Sequence, residues 1–314
     1  MKFGITMQTR GPNARMPNIA KIAQRAEQAG FYEAVLGDHI IFPNKIRSSY
    51  PYAESGIHHG SIEGETLECL SLLTFIAAKT SVLRIVTGIM IVPNRNPIIA
   101  AKQLASIDVL SEGRLSVGVG VGWMREEFKN LGLMPFEERG KVTDEYIRAY
   151  IELWTQENPK FDGNYCSFSD IRFRPKPIQK PYPPIWIGGE SDAALRRVAK
   201  IGNCWHPIGL NRNFPLETSN QLENRIEKLN QFTLEAGRDP SDIEIAYRVP
   251  HFELRNKESP KPFMGTQEQI LSNIRNFEDI GVSHLILDFR SYNLDETLVL
   301  IEEFADKIAP HFLR

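Results

Sequence analysis

The chain has 314 residues, 42% hydrophobic and 24% charged, with a formal net charge of -2 and a pI near 6.4. That is a globular composition, and the missing basic run or aromatic-basic stripe excludes a nucleic-acid or polyanion partner. No run of about 18 apolar residues occurs, so no membrane span is expected and the expected partner is a small molecule.

Taken in chain order, short apolar runs alternate with segments of helical spacing. The opening KFGITM (2–7) reads as a first strand rather than a targeting segment, which points to a cytoplasmic protein. It is followed by a helix over 18–30 with Ile19, Ile22, Ala23 and Ala26 on one stripe. YEAVLGDH (32–39) is the second strand; a long polar excursion to about residue 64 and the helical ETLECLSLLTFIAAKT follow it. LRIVTGIMIV (83–92) precedes a helix with Asn96 as N-cap and Pro97 at its first position. RLSVGVGVG (114–122) is the fourth strand, with its helix over about 136–156. An irregular stretch, 157–182, then precedes PPIWIGG (183–189), NCWHPIG (203–209), IEIAYRVP (243–250) and SHLILDF (283–289), each with its own helix.

Eight strand-helix pairs in one chain predict a closed (β/α)8 TIM barrel, an α/β fold formed by a single domain over 1–314. An open doubly wound sheet is the alternative, since periodicity sets neither strand order nor closure. The long loops are expected at the C-terminal ends of strands two, five and seven. Segments 42–64, 157–182 and 250–265 are expected to form a substrate pocket there. Cys69, Cys166 and Cys204 are far apart and odd in number, which predicts reduced thiols in the core.

Chemistry in such a barrel collects at the C-terminal strand ends. Strand two ends in Asp38-His39, which can act as acid or base or can tie down the following loop. Gly188-Gly189-Glu190-Ser191 joins strand five directly to a helix. That turn suits an anion such as phosphate, or is a tight turn with Ser191 only as N-cap. Gly88 lies inside strand three, where glycine marks a bulge, a close backbone approach or a kink. Gly118, Gly120 and Gly122 share one face of strand four and leave room for tight helix packing or a flat ligand. A metal site is not expected, because KFGITM carries no His-x-His pair and His58-His59 are adjacent in a loop. A nicotinamide-binding turn is not expected either. Its G-x-G-x-x-G pattern needs glycine at 123, where Trp123 stands, and Glu137 and Glu138 begin a helix instead of ending a strand.

The succession SIDVLSEGRLSVGVGVGWMREEFKNLG, FEERGKVTDEY and FRPKPIQKPYPPIWIGGES resembles the bacterial luciferase-like flavin-dependent oxidoreductases, most closely their F420-dependent branch. The similarity runs through about residue 206. It implies a ring cofactor at the barrel mouth, with Asp38 and His39 beside the ring and His39 as the acid-base group. It also implies a cis peptide at Gly88-Ile89 supporting the ring, Gly122 and Glu126 at the ring's polar edge, and Gly188, Gly189 and Ser191 around the cofactor phosphate. Trp123 replaces the glutamate that some F420-dependent sugar-phosphate dehydrogenases use as an acid, so that chemistry is not carried over. The excursion 42–64 corresponds to a variable substrate loop, with His58 and His59 able to touch substrate.

The function these residues imply is hydride transfer between coenzyme F420 and a small organic substrate. An FMN-dependent monooxygenase that uses oxygen is the alternative, and a non-catalytic flavin-binding protein the third reading. A homodimer and a separate flavin or F420 reductase are the implied partners.

Overall fold

The computed structural model describes residues 1–58, 65–289 and 291–312. All eight apolar runs form parallel strands. In chain order the strands are β1 (Lys2–Thr6), β2 (Glu33–Leu36), β3 (Arg84–Thr87), β4 (Met90–Ile91), β5 (Leu115–Gly120), β6 (Phe161–Asp162), β7 (Ser167–Phe168), β8 (Ile185–Gly188), β9 (Cys204–His206), β10 (Glu244–Arg248), β11 (Glu253–Leu254), β12 (Met264–Gly265) and β13 (His284–Leu287). The main sheet runs β3-β2-β1-β13-β10-β9-β8-β5, and pairing of Ile85 with Leu115 and Val86 with Ser116 closes it. The fold is therefore a (β/α)8 barrel and not an open sheet. The short β4 continues β3 along β5, with Met90 opposite Val119.

The helices are α1 (Asn18–Gln28), α2 (Cys69–Lys79), α3 (Pro97–Leu110), α4 (Arg125–Asn130), α5 (Arg139–Thr155), α6 (Asp192–Ile201), α7 (Ser219–Glu235), α8 (Gln267–Asp279) and α9 (Leu294–Lys307). Asn96 caps α3 as its side chain accepts from the N–H groups of Ile98 and Ile99. Helix α4 was not predicted, because six residues carry too little periodic signal. No helix among the described residues is long and apolar enough to cross a membrane.

Strands buried on both faces explain the continuous Val/Ile/Leu runs. Their outward side chains pack under the helices, while Val35, Val86, Trp186, Cys204, Ala246 and Ile286 form a separate cluster with one residue from each of six strands. Such a layer plugs the barrel and gives the mouth a floor. Cys69 and Cys204 are buried as free thiols, and Cys166 is half-buried.

Two of the expected pocket segments lie elsewhere. Segment 157–182 follows a helix, and a helix carries the chain back to the N-terminal end of the next strand. The segment accordingly fastens the barrel's opposite end. There the Gln179 side chain donates to Asp108 Oδ1 (2.6 Å) and to the carbonyl of Leu115 at the start of β5 (2.7 Å). No residue of 250–265 lines the mouth cavity either. Phe263 is 1% exposed and packs on Phe277 with ring centroids 4.8 Å apart, which draws that loop toward α8.

Candidate active site at the barrel mouth

A cavity of about 800 Å³ opens at the C-terminal ends of the strands. Its central wall is built by Gly88 and Ile89, whose peptide bond is cis, as the resemblance implied. The glycines around it explain how so close an arrangement fits. A Cβ on Gly118 would lie 1.9 Å from the Thr87 carbonyl oxygen, and one on Gly120 1.8 Å from Ile89 Cδ1. A Cβ on Gly188 would lie 2.7 Å from Ile89 Cγ2. The bare face of strand four is thus filled by Ile89 from the neighbouring strand. The expected room for helix packing or a ring is taken up by this side chain, and the cavity begins beyond it.

Asp38 and His39 leave β2 together but have different tasks. Both Asp38 oxygens are engaged: Arg95 donates to Oδ1 (2.8 Å) and Oδ2 (2.6 Å), and the Ile91 N–H also reaches Oδ2 (2.9 Å). Asp38 borders the cavity, yet its carboxylate supports the chain after Ile89, which removes it from acid-base work. His39 turns its Nδ1 to Glu127 Oε2 at 3.0 Å. Donation from Nδ1 to that carboxylate sets the tautomer and leaves Nε2 as the nitrogen able to exchange a proton.

Glu127 is fully buried and also accepts from the N–H groups of Ile40 (2.8 Å) and Ile41 (3.3 Å). Burial pushes its carboxyl up, but the His39 ring and those N–H groups outweigh it and hold the group below the usual carboxylate range. Glu126, expected at the ring's edge, does not line the cavity. Its carboxylate accepts from Arg47 N–H (2.8 Å), Ser48 N–H (3.2 Å) and Ser48 Oγ (2.7 Å), so it pins the loop after strand two. Adjacent residues on a helix point about 100° apart, so only one of this glutamate pair can face His39.

The loop brings aromatic rings over the mouth. His39 lies 4.8 Å from Phe42, 5.4 Å from His58 and 5.9 Å from Trp123 between centroids, and Tyr50 lies 5.1 Å from Trp123. His58 therefore lines the cavity; His59 lies outside the described residues.

On the far wall, Gly189 has a φ of +100°, a conformation that favours glycine. Ser191 caps α6 by accepting from the Ala194 N–H (3.3 Å) and also lines the cavity, so both of its expected uses are compatible. Arg139, which sequence reasoning missed, donates from Nε to the Gly122 carbonyl (3.2 Å) and lines the same cavity. A helix N-terminus, a glycine turn, a hydroxyl and a guanidinium along one cavity form a donor set suited to a phosphate. The residues present thus fit a phosphate-bearing ring cofactor: an anion end at Gly188, Gly189, Ser191 and Arg139, and a wall at Gly88, Ile89 and Gly122.

Known proteins resemble this chain in sequence and fold. A family model described as luciferase-like monooxygenase matches residues 1–259. An FMNH2-dependent dimethylsulfone monooxygenase from Pseudomonas putida is 34% identical over 191 residues, covering 60% of this chain and 48% of that protein. The chain thus matches about half the length of that relative. Two solved structures share the fold across nearly their whole length. The monooxygenase RslO1 from Streptomyces bottropensis has a TM-score of 0.79 at 20% identity, covering 100% of both chains. The coenzyme F420-dependent tetrahydromethanopterin reductase from Methanopyrus kandleri has a TM-score of 0.76 at 18% identity, covering 99% of both. With the matching family model spanning most of its length, the chain belongs to the luciferase-like monooxygenase family and is an enzyme of that family.

Proposed function

We propose that this enzyme transfers hydride between coenzyme F420 and a small organic substrate held under the aromatic loop. The observation that carries the reading is the His39-Glu127 pair beside the cavity, across from the anion-ready turn at Gly188-Gly189-Ser191. Coenzyme F420, when bound, supplies the hydride chemistry; the protein supplies orientation, a proton and exclusion of water. Arg139, Ser191 and the free N–H groups at the start of α6 hold the phosphate end. Gly88, Ile89 and Gly122 form the wall against the ring, and His39 exchanges a proton on the ring side while Glu127 keeps its tautomer. Asp38 secures the chain after Ile89 through Arg95.

A second reading, FMN-dependent monooxygenation with reduced flavin from a separate reductase, is favoured by the similarity to the dimethylsulfone monooxygenase. Fluorescence titration with each cofactor separates the two: F420 quenching supports the first, and tight FMN binding without F420 binding sinks it. An F420 reductase would serve the first reading as a partner. The proposal includes a cytoplasmic homodimer of single-domain chains. The pairing of β1 with β13 supports one domain over 1–314.

A further inference from the structure

One buried carboxylate of the cavity wall has no part in that chemistry. Glu190 stands between the glycine turn and Ser191 and is 1% exposed. Its carboxylate accepts from the Ile208 N–H (2.9 Å), from Asn211 Nδ2 (2.6 Å) and from the Tyr52 hydroxyl (3.1 Å). Tyr52 and Glu190 both line the cavity that His39 lines. Tyr52 belongs to the loop after strand two, and that loop is pinned on either side of it. Glu126 holds Arg47 and Ser48, while Arg212 donates from its side chain to Ser49 Oγ (2.6 Å) and the Glu54 carbonyl (3.2 Å) and from its N–H to the Pro51 carbonyl (3.1 Å). The phenol is therefore delivered to the carboxylate by a fastened loop.

We propose that Tyr52 and Glu190 form a second proton-transfer pair, in which the Tyr52 hydroxyl exchanges a proton with the oxygen of a carbonyl or alcohol substrate and Glu190 replenishes it. This deepens the hydride-transfer reading and rests on it. An ionised Glu190 accepts the Tyr52 hydrogen, which keeps that hydrogen away from substrate. A protonated Glu190 donates to the Tyr52 oxygen and frees the phenolic hydrogen for the cavity. In the reducing direction, bound coenzyme F420 would supply the hydride to the carbonyl carbon, and the C=O π pair would move to oxygen. That oxygen takes the hydrogen as the Tyr52 O–H bond breaks. The phenolate oxygen then takes the Glu190 proton, leaving a carboxylate held by Ile208 and Asn211 until solvent returns the proton. Oxidation of an alcohol runs the same transfers backward.

Burial raises the Glu190 carboxyl to about 7 against the pull of its donors, so both protonation states are accessible near neutrality. The ionisable groups around the pair are Tyr50 on the loop, Tyr247 and Arg248 on β10, and Arg225 on α7. Arg225 is engaged with the Glu190 main-chain carbonyl and with Asp192, so it does not neutralise the carboxylate directly.

The test has one arm without cofactor and one with it. Infrared difference spectra of the cofactor-free protein between pH 5 and 9 should show a protonated-carboxyl band that titrates near neutrality. It should vanish in Glu190→Gln and survive in Glu127→Gln. A missing band, or one that survives Glu190→Gln, overturns the pair. With F420 and carbonyl substrates, Tyr52→Phe, which removes only a hydroxyl, should lower kcat about 100-fold with KM within a few-fold. Glu190→Gln should lower kcat and abolish the fall in rate as pH rises through neutrality. Unchanged kcat and pH profile in both variants, with circular dichroism showing them folded, overturns the pair while the hydride-transfer reading stands. Failure of the wild-type protein to bind F420 overturns that reading, and with it the substrate assigned to the pair, whatever the infrared result.

Discussion

Glu127 and Glu190 are 0% and 1% exposed, and each accepts hydrogen bonds from loop backbone and from a side chain at the barrel mouth. Their protons nevertheless behave in opposite ways. Burial raises both groups. At Glu127 the His39 ring, which can carry a positive charge, joins the N–H groups of Ile40 and Ile41, and the carboxyl ends below its usual range. At Glu190 the donors are neutral, and the carboxyl is pushed up to about 7. Depth alone does not decide ionisation; a partner that can become cationic does.

The largest way to break that contrast is His39→Ala. Without the imidazole, burial of Glu127 is opposed only by backbone N–H groups, so its carboxyl should rise above the usual range, as seen by infrared titration. Turnover should fall about 10²- to 10³-fold while cofactor affinity changes little, a split that fluorescence titration beside steady-state kinetics can resolve.

The next test is the pH dependence of stability. A carboxyl raised in the folded state contributes its stability below the unfolded pKa and loses it as pH rises through the folded value. Glu190 should therefore cost up to about 3 kcal/mol between pH 5 and 9. Glu127, depressed in the folded state, contributes above the usual carboxylate range and loses that contribution as pH falls below it. Urea unfolding of wild type and Glu190→Gln across this range should show a steeper alkaline loss of stability in the wild type, since the raised His284 contributes to both.

A smaller change sharpens the contrast from the other side. Asn211→Leu removes a neutral donor from Glu190, so its titration should move further up and stability should fall by about 1 kcal/mol. Ser191→Ala is the smallest. It should cost about 1 kcal/mol or less through the lost cap, weaken a phosphate-bearing ligand and leave both carboxyls titrating as before.

Much of the frame was legible in the residues. The eight Val/Ile/Leu runs, Asn96-Pro97 and Ser191 are local signals, and each element formed where its own sequence predicted it. His39, Gly88, Gly188 and Gly189 stood out by their places at or in the strands, the cis bond at Gly88-Ile89 came through the family resemblance, and these residues stand around one cavity. Glu127 was hidden because helical phase decides which of two neighbouring glutamates turns inward, and α4 is too short to display a phase. Glu190 was in plain view beside the glycines, but its environment depends on Tyr52, 138 residues earlier, and on Ile208 and Asn211 in the following loop. Segment 157–182 was misassigned because its prolines and aromatics mark a loop without saying at which end of the barrel it lies.

Ile89, lodged among Gly118, Gly120 and Gly188, makes three strands interdependent in a way that single substitutions would misreport. Gly120→Ala alone sets a methyl group against Ile89 Cδ1 and should lose stability and cofactor binding together. Ile89→Ala alone should leave a void. Combined, the two changes exchange bulk across the strand boundary, so the double variant should be better folded than either loss predicts. At this wall of the mouth, sequence can drift only in pairs, with each step waiting on its complement.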